Sequence, residues 1–264
     1  MPSEGVELEL EHNILPSPKD LVRIVPLHLP KELTRAAGAA PAQLTYRGGA
    51  LIQNVEVFSL YWGVAWNKDP LLSMKPKLDA FYQFVLGSAL LDQLAEYNVP
   101  QYTIGHGKFK GSTTIVKPRP KLVTTDAAIQ HFVQQEISAN TNVPKPNANS
   151  LYFVYLPPGV AVVQGGARSC QAFCGYHDSI NGQIYYAVMP YPNCAGCLGG
   201  LAAFDSLTST SSHELSEAIT DPVPGQGWYD DANGEIGDIC AWTTKQLGQY
   251  TIQLEWSNNA GKCV

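Results

Sequence analysis

Hydrophobic positions change period several times along this chain, and each change predicts an element. Residues 51–62 are rich in β-branched and aromatic side chains and stop at Gly63, the pattern of a buried strand. From Lys77 to Tyr97 the spacing turns helical through Leu78, Phe81, Val85, Leu90, Leu91 and Leu94, with Gly87-Ser88 placed to split the run. Residues 102–116 return to a strand pattern around a bend at Gly105-His106-Gly107. Thr125-Asp126 caps a further helix whose apolar stripe is Ile129, Phe132, Val133 and Ile137. Strand patterns recur at 151–156, 160–163, 183–189 and 251–256. Ser211 or Ser212 is the expected N-cap of a helix that Pro222 ends. The pattern predicts an α+β fold, a mixed twisted sheet packed on helices. Before residue 46 there are prolines, an Ala-rich patch and no sustained period. Residues 1–45 are therefore expected as an extended strap or pro-segment remnant, and 46–264 as a single domain.

The helix after Ser212 carries the main candidate chemistry, His213-Glu214-Leu215-Ser216-Glu217. On a helix His213 and Glu217 share a face, with Glu214 beside it. Zinc peptidases need two ligands one turn apart and an adjacent Glu that takes a proton from the metal-bound water. Here the second ligand is Glu where the common motif has His, and an added carboxylate lowers the effective charge of the ion. Downstream, Glu235 and Asp238 stand as in zincins whose third ligand is a Glu supported by an Asp. The element order is also close to the upper lobe of zincin-type peptidases, which makes the expected domain zincin-like. The expected ligands are His213, Glu217 and Glu235, with Glu214 as general base, Asp238 and Asp221 in support, and His177 as alternative ligand. Ordinary helix-dipole stabilisation explains the acidic pair equally well on its own. The alternation of Asp231, Asn233 and Glu235 suggests calcium as a rival ion, but the closing bidentate Glu of an EF-hand is missing. Asp230 and Asp231 suit a plain turn beside Asn233-Gly234 as well.

Composition narrows the class. With 45% hydrophobic residues in 264, the chain can bury a full core. A net charge of -6 and only 17 Lys and Arg argue against a nucleic-acid partner. No stretch is apolar enough for a membrane span. Six cysteines, Cys170, Cys174, Cys194, Cys197, Cys240 and Cys263, all fall in the C-terminal part and point to an oxidising compartment. Short separation favours Cys170 with Cys174 and Cys194 with Cys197, leaving Cys240 with Cys263; a zinc knot is the rival. Met1-Pro2-Ser3-Glu4 has no basic start and no apolar stretch, so an exported chain is expected to have lost its signal. Phe173-Cys174-Gly175-Tyr176-His177 reads as a rigid turn flanked by a disulfide, and a thiol nucleophile at Cys174 requires that it be unpaired.

These residues resemble the EXORDIUM-like, or phosphate-induced, family of extracellular plant proteins and its bacterial secreted relatives. The matching pieces are Phe173 to His177, Cys194-Ala-Gly-Cys197, Ser212 to Ala218, Thr220-Asp-Pro222, Trp228-Tyr229 and Glu235 to Cys240. They cover roughly residues 150–264, with echoes at 51–63 and 102–107. The resemblance implies secretion and carries over the cysteines, but brings no settled reaction. The expected function is a secreted zinc metallopeptidase acting on a peptide or protein. The alternative is an extracellular binding protein, for cell-wall polysaccharide or protein, with a structural zinc or calcium.

Overall fold

A computed structural model describes residues 25–28 and 41–264. The bulk of the expected strap, 1–24 and 29–40, lies outside the described residues. Where the strap is described it joins the body: Val25–Pro26 forms a short edge strand, and Leu44 is buried in the main core.

The centre is a six-stranded mixed sheet. Lys108–Ile115, Glu56–Trp62, Ser150–Tyr155 and Ile184–Met189 run parallel in that spatial order. Phe173–Ile180 then pairs antiparallel with Ile184–Met189, and Val25–Pro26 lies antiparallel on its outer side. Alternation on the buried strands sends side chains into two cores. Val57, Tyr61, Leu151, Phe153 and Tyr155 face helices α1 (Leu71–Val85), α2 (Ala89–Leu94) and α5 (Ala203–Thr220). Phe58, Leu60, Trp62, Tyr152 and Val154 face the side covered by α3 (Asp126–Ala139), whose Ile129, Phe132 and Val133 complete the second core. The fold is thus mixed α+β.

Several expectations hold locally. Thr125 Oγ1 accepts from Ala128 N and caps α3, and Ser88 caps α2 after the expected break. Two do not. Helix α5 begins at Ala203, so Ser211 and Ser212 lie inside it, not at its cap. Its first half is Ser/Thr-rich and reads as loop, yet those hydroxyls are satisfied within the fold: Ser206 donates to Cys197 O, Thr208 to Thr251 O and Ser212 to Ser209 O. The small side chains let the helix be buried from Ser206 to Thr220. Residues 173–177, expected as a turn, open an eight-residue strand. Its backbone is satisfied by the ladder with Ile184–Met189 despite a weak local pattern.

On the α3 side, Asp126 accepts from the hydroxyls of Tyr176 at 2.7 Å and Tyr186 at 2.6 Å. Asp126→Ala leaves both buried hydroxyls without that acceptor and is expected to cost about 3 kcal/mol, read by urea denaturation. A loss below about 1 kcal/mol would show that the hydroxyls find other partners.

All six cysteines are paired, but two expected pairings are corrected. Cys170 joins Cys194, Cys174 joins Cys197, and Cys240 joins Cys263 as expected. Cys194 is the N-cap residue of the short helix α4 (Ala195–Leu198) and Cys197 lies within it, and the two do not bond to each other. Instead α4 is clamped to the strand of Phe173–Ile180 and its approach. The pairing excludes both the zinc knot and a thiol nucleophile at Cys174. Denatured, unreduced protein is expected to titrate no thiol, and Cys174→Ser with Cys197→Ser to cost roughly 3 kcal/mol for a loop of this length.

Candidate metal centre

The His-Glu-x-x-Glu turn sits in the middle of α5, pressed between the sheet and the segment that follows it. The C-cap of α5, Asp221, uses its carboxylate to hold the next loop, accepting from the N–H groups of Gly225, Gln226 and Gly227 at 2.6, 3.0 and 2.6 Å. That loop leads to Glu235 and Asp238. Asp238 N donates to Glu217 Oε1 at 3.1 Å, while its Oδ2 accepts from Glu235 N. Gly237 lies so close to the His213 ring that a Cβ there would stand 2.7 Å from Nδ1. From the sheet side comes His177, and Gly175 leaves room for α5, since a Cβ there would meet Thr210 at 2.7 Å.

The result is one interior group of acidic and imidazole side chains. Glu214, Glu217, Asp221, Glu235, Glu255 and His213 are all 0% exposed, and His177 is 1% exposed. His177 Nδ1 lies 3.1 Å from Glu214 Oε2 and 3.4 Å from Glu217 Oε2. Its Nε2 donates to the Asp221 carbonyl at 3.1 Å and faces Glu235 Oε1 at 3.6 Å. His213 Nε2 stands 2.9 Å from Glu217 Oε1 and 4.0 Å from Asp238 Oδ1. The first of these is a charge contact too oblique for an aligned hydrogen bond. The Gln253 amide nitrogen lies 2.7 Å from His213 Nδ1 and donates to Gly237 O at 2.9 Å. Glu214 Oε1 and Glu217 Oε2 accept no hydrogen bond.

Electrostatics follows from this crowding. Burial opposes charge on His177, yet Glu235, Glu214 and Glu217 hold its proton well above the usual imidazole range. For His213 burial is likewise outweighed, chiefly by Glu217. Burial pushes Glu217 up, but the two imidazoles bring it down to about 2. Burial raises Glu214 against the pull of His177, raises Asp221 against its contact with Glu235, and raises Glu255 well above the carboxylate range.

Thus the structure brings together every residue expected at the site: His213, Glu214, Glu217, Glu235, Asp238, Asp221 and His177. Among the described residues three sets of three donors gather within 4.8 Å: the disulfide-bonded Cys170, Cys194 and Cys197, His177 with Glu214 and Glu217, and His213 with Glu217 and Asp238. Glu235 enters none of these sets and lies by His177 and Asp221. Glu255 and Gln253 were not expected; the alternation of Thr251, Gln253 and Glu255 with Ile252 and Leu254 was the available signal. The suggested calcium loop does not converge. Asp230 Oδ1 accepts from Ala232 N and Asn233 N as a turn former, and Asp231 is exposed and pairs with Arg47. His106 pairs with Asp92 at the surface, and His28 rests against Trp242. No described helix is long and apolar enough to cross a membrane. Comparison with protein-family models, curated proteins and solved structures finds no match.

Proposed function

We propose that this chain is an exported metalloprotein of the peptidase type, in which a divalent ion held against α5 activates water for attack on a peptide bond. The observation that carries this reading is the pair of buried carboxylate oxygens without a proton donor, Glu214 Oε1 and Glu217 Oε2, beside two imidazoles. Burying carboxylates is unfavourable unless a positive charge meets them. Mixed nitrogen and oxygen donors suit zinc, whereas calcium takes six or more oxygens. Glu217 belongs to both histidine-containing donor sets and would hold the ion with donors on either side of it. Bound zinc lowers the pKa of its water toward neutrality. Glu217 would hold the ion and Glu214 would orient and deprotonate its water, and the helix keeps both carboxylates fixed. The helix-borne motif under a mixed sheet supports a zincin-like relation, and the disulfide-rich C-terminal part supports the EXORDIUM-like one and an oxidising, extracellular setting.

A specific observation favours a second reading. A peptide must reach a catalytic ion, yet none of these side chains is more than marginally exposed apart from Asp238, whose side chain is 19% exposed. In that reading the ion is structural and the chain is an extracellular binding protein for wall polysaccharide or protein. Metal analysis of protein purified without chelator, joined to a peptide-library digest, separates the two. Zinc with chelator-sensitive cleavage supports the peptidase. Zinc without cleavage supports the binding protein, and protein that takes up no divalent ion sinks both.

A further inference from the structure

We infer that the imidazole holding the ion is His177, through Nδ1 and together with Glu214 and Glu217, and that His213 of the helical motif is a positioning residue. This rests on the reading above that the centre takes a divalent ion. A ligating imidazole needs a lone pair on one nitrogen and commonly donates its other N–H to a carbonyl or carboxylate. His177 meets that condition. The Asp221 carbonyl can only accept, so Nε2 carries a proton, and Nδ1, which shares a hydrogen bond with Glu214 Oε2, is the nitrogen that offers its lone pair when the ring is neutral.

Around Nδ1 the spacing also fits an ion. Donors bound to one tetrahedral zinc at the usual bond lengths stand about 3.3 Å apart. Nδ1 lies 3.1 Å from Glu214 Oε2 and 3.4 Å from Glu217 Oε2. Glu217 Oε2 has no hydrogen bond to give up, because Asp238 N and His213 engage Oε1. Glu214 keeps Oε1 free for a bound water.

His213 is differently placed. Gln253 Oε1 accepts from Trp242 N at 3.2 Å and its amide nitrogen donates to Gly237 O, so both ends of the amide are fixed. The NH2 group therefore faces His213 Nδ1, which in the neutral ring that an ion would require must accept. The ring proton then sits on Nε2, toward Glu217 Oε1, and His213 has no lone pair left for an ion. Its role is to set the angle of the Glu217 carboxylate. The inference also makes Glu214 a ligand, where the linear motif makes it a base alone.

The test compares wild type with His177→Gln, Glu214→Gln and His213→Ala, each checked for folding by circular dichroism. Zinc binding is measured by competition with a chromophoric chelator, and the cobalt-substituted proteins by their visible spectrum. His213→Ala is expected to keep one zinc, weakened about 10–100-fold as for outer partners of a metal site, with the cobalt bands unmoved. His177→Gln and Glu214→Gln are expected to bind none at micromolar zinc. Retention by either of those two while His213→Ala loses zinc overturns the inference and leaves the metal reading standing. Loss in all three overturns the division of roles. Wild type that binds no zinc fails at the earlier step, in the reading of a metal centre.

Discussion

Replacing Glu217 by Gln is expected to remove the ion and to destabilise the ion-free fold by about 3–5 kcal/mol, the usual cost of stranding a buried charge. Both imidazoles lean on this one carboxylate, at 2.9 Å from His213 and 3.4 Å from His177, and they hold it ionised although it is fully buried. An amide of the same shape keeps the packing and removes the charge. Glu255→Gln provides the contrast, because burial raises that carboxyl well above the ordinary range and so favours its neutral form. Its substitution is expected to change stability by less than about 1 kcal/mol. Urea denaturation of both variants without metal checks the pair. Equal losses would show that the acidic group is neutralised evenly and not through Glu217.

Zinc is expected to raise the thermal midpoint strongly. An ion present at a thousandfold over its dissociation constant stabilises by about 4 kcal/mol, which for a chain of this size corresponds to about 10 °C. The shift should vanish with chelator and in Glu217→Gln, and calcium should give far less of it. Scanning calorimetry with zinc, calcium and chelator measures it. If no ion moves the midpoint, the carboxylates are balanced by protons and the centre is a polar core.

The parts of this fold that were legible in the sequence are those with strong local signals. The buried strand at Ser150–Tyr155, the cap at Thr125 and the break at Gly87-Ser88 each rest on neighbouring residues alone. The helical spacing of His213 and Glu217 was legible for the same reason. Phe173–Ile180 was not, because Cys174, Gly175, His177 and Asp178 carry no β pattern and become a strand only by pairing with the sheet. That omission hid the placement of His177 opposite Glu214. The start of α5 was obscured by serines and threonines whose hydroxyls bond inside the fold. Gln253, which fixes the His213 ring, reaches it from a strand 40 positions further along. The cysteine partners were not legible because Cys170–Cys194 and Cys174–Cys197 span 24 and 23 positions and meet only through the packing of α4 against the strand Phe173–Ile180.

The sealing of the centre has a kinetic consequence. With Glu214 and Glu217 at 0% exposure and His177 at 1%, an ion held among them would have no direct path to solvent. Its departure must await a local opening of α5 against the strand that carries His177, or of the loop anchored by Asp221. Release into chelator would then proceed at the opening rate and be independent of chelator concentration above saturation. The dwell time of the metal would report the lifetime of the closed protein rather than the strength of its bonds to the donors.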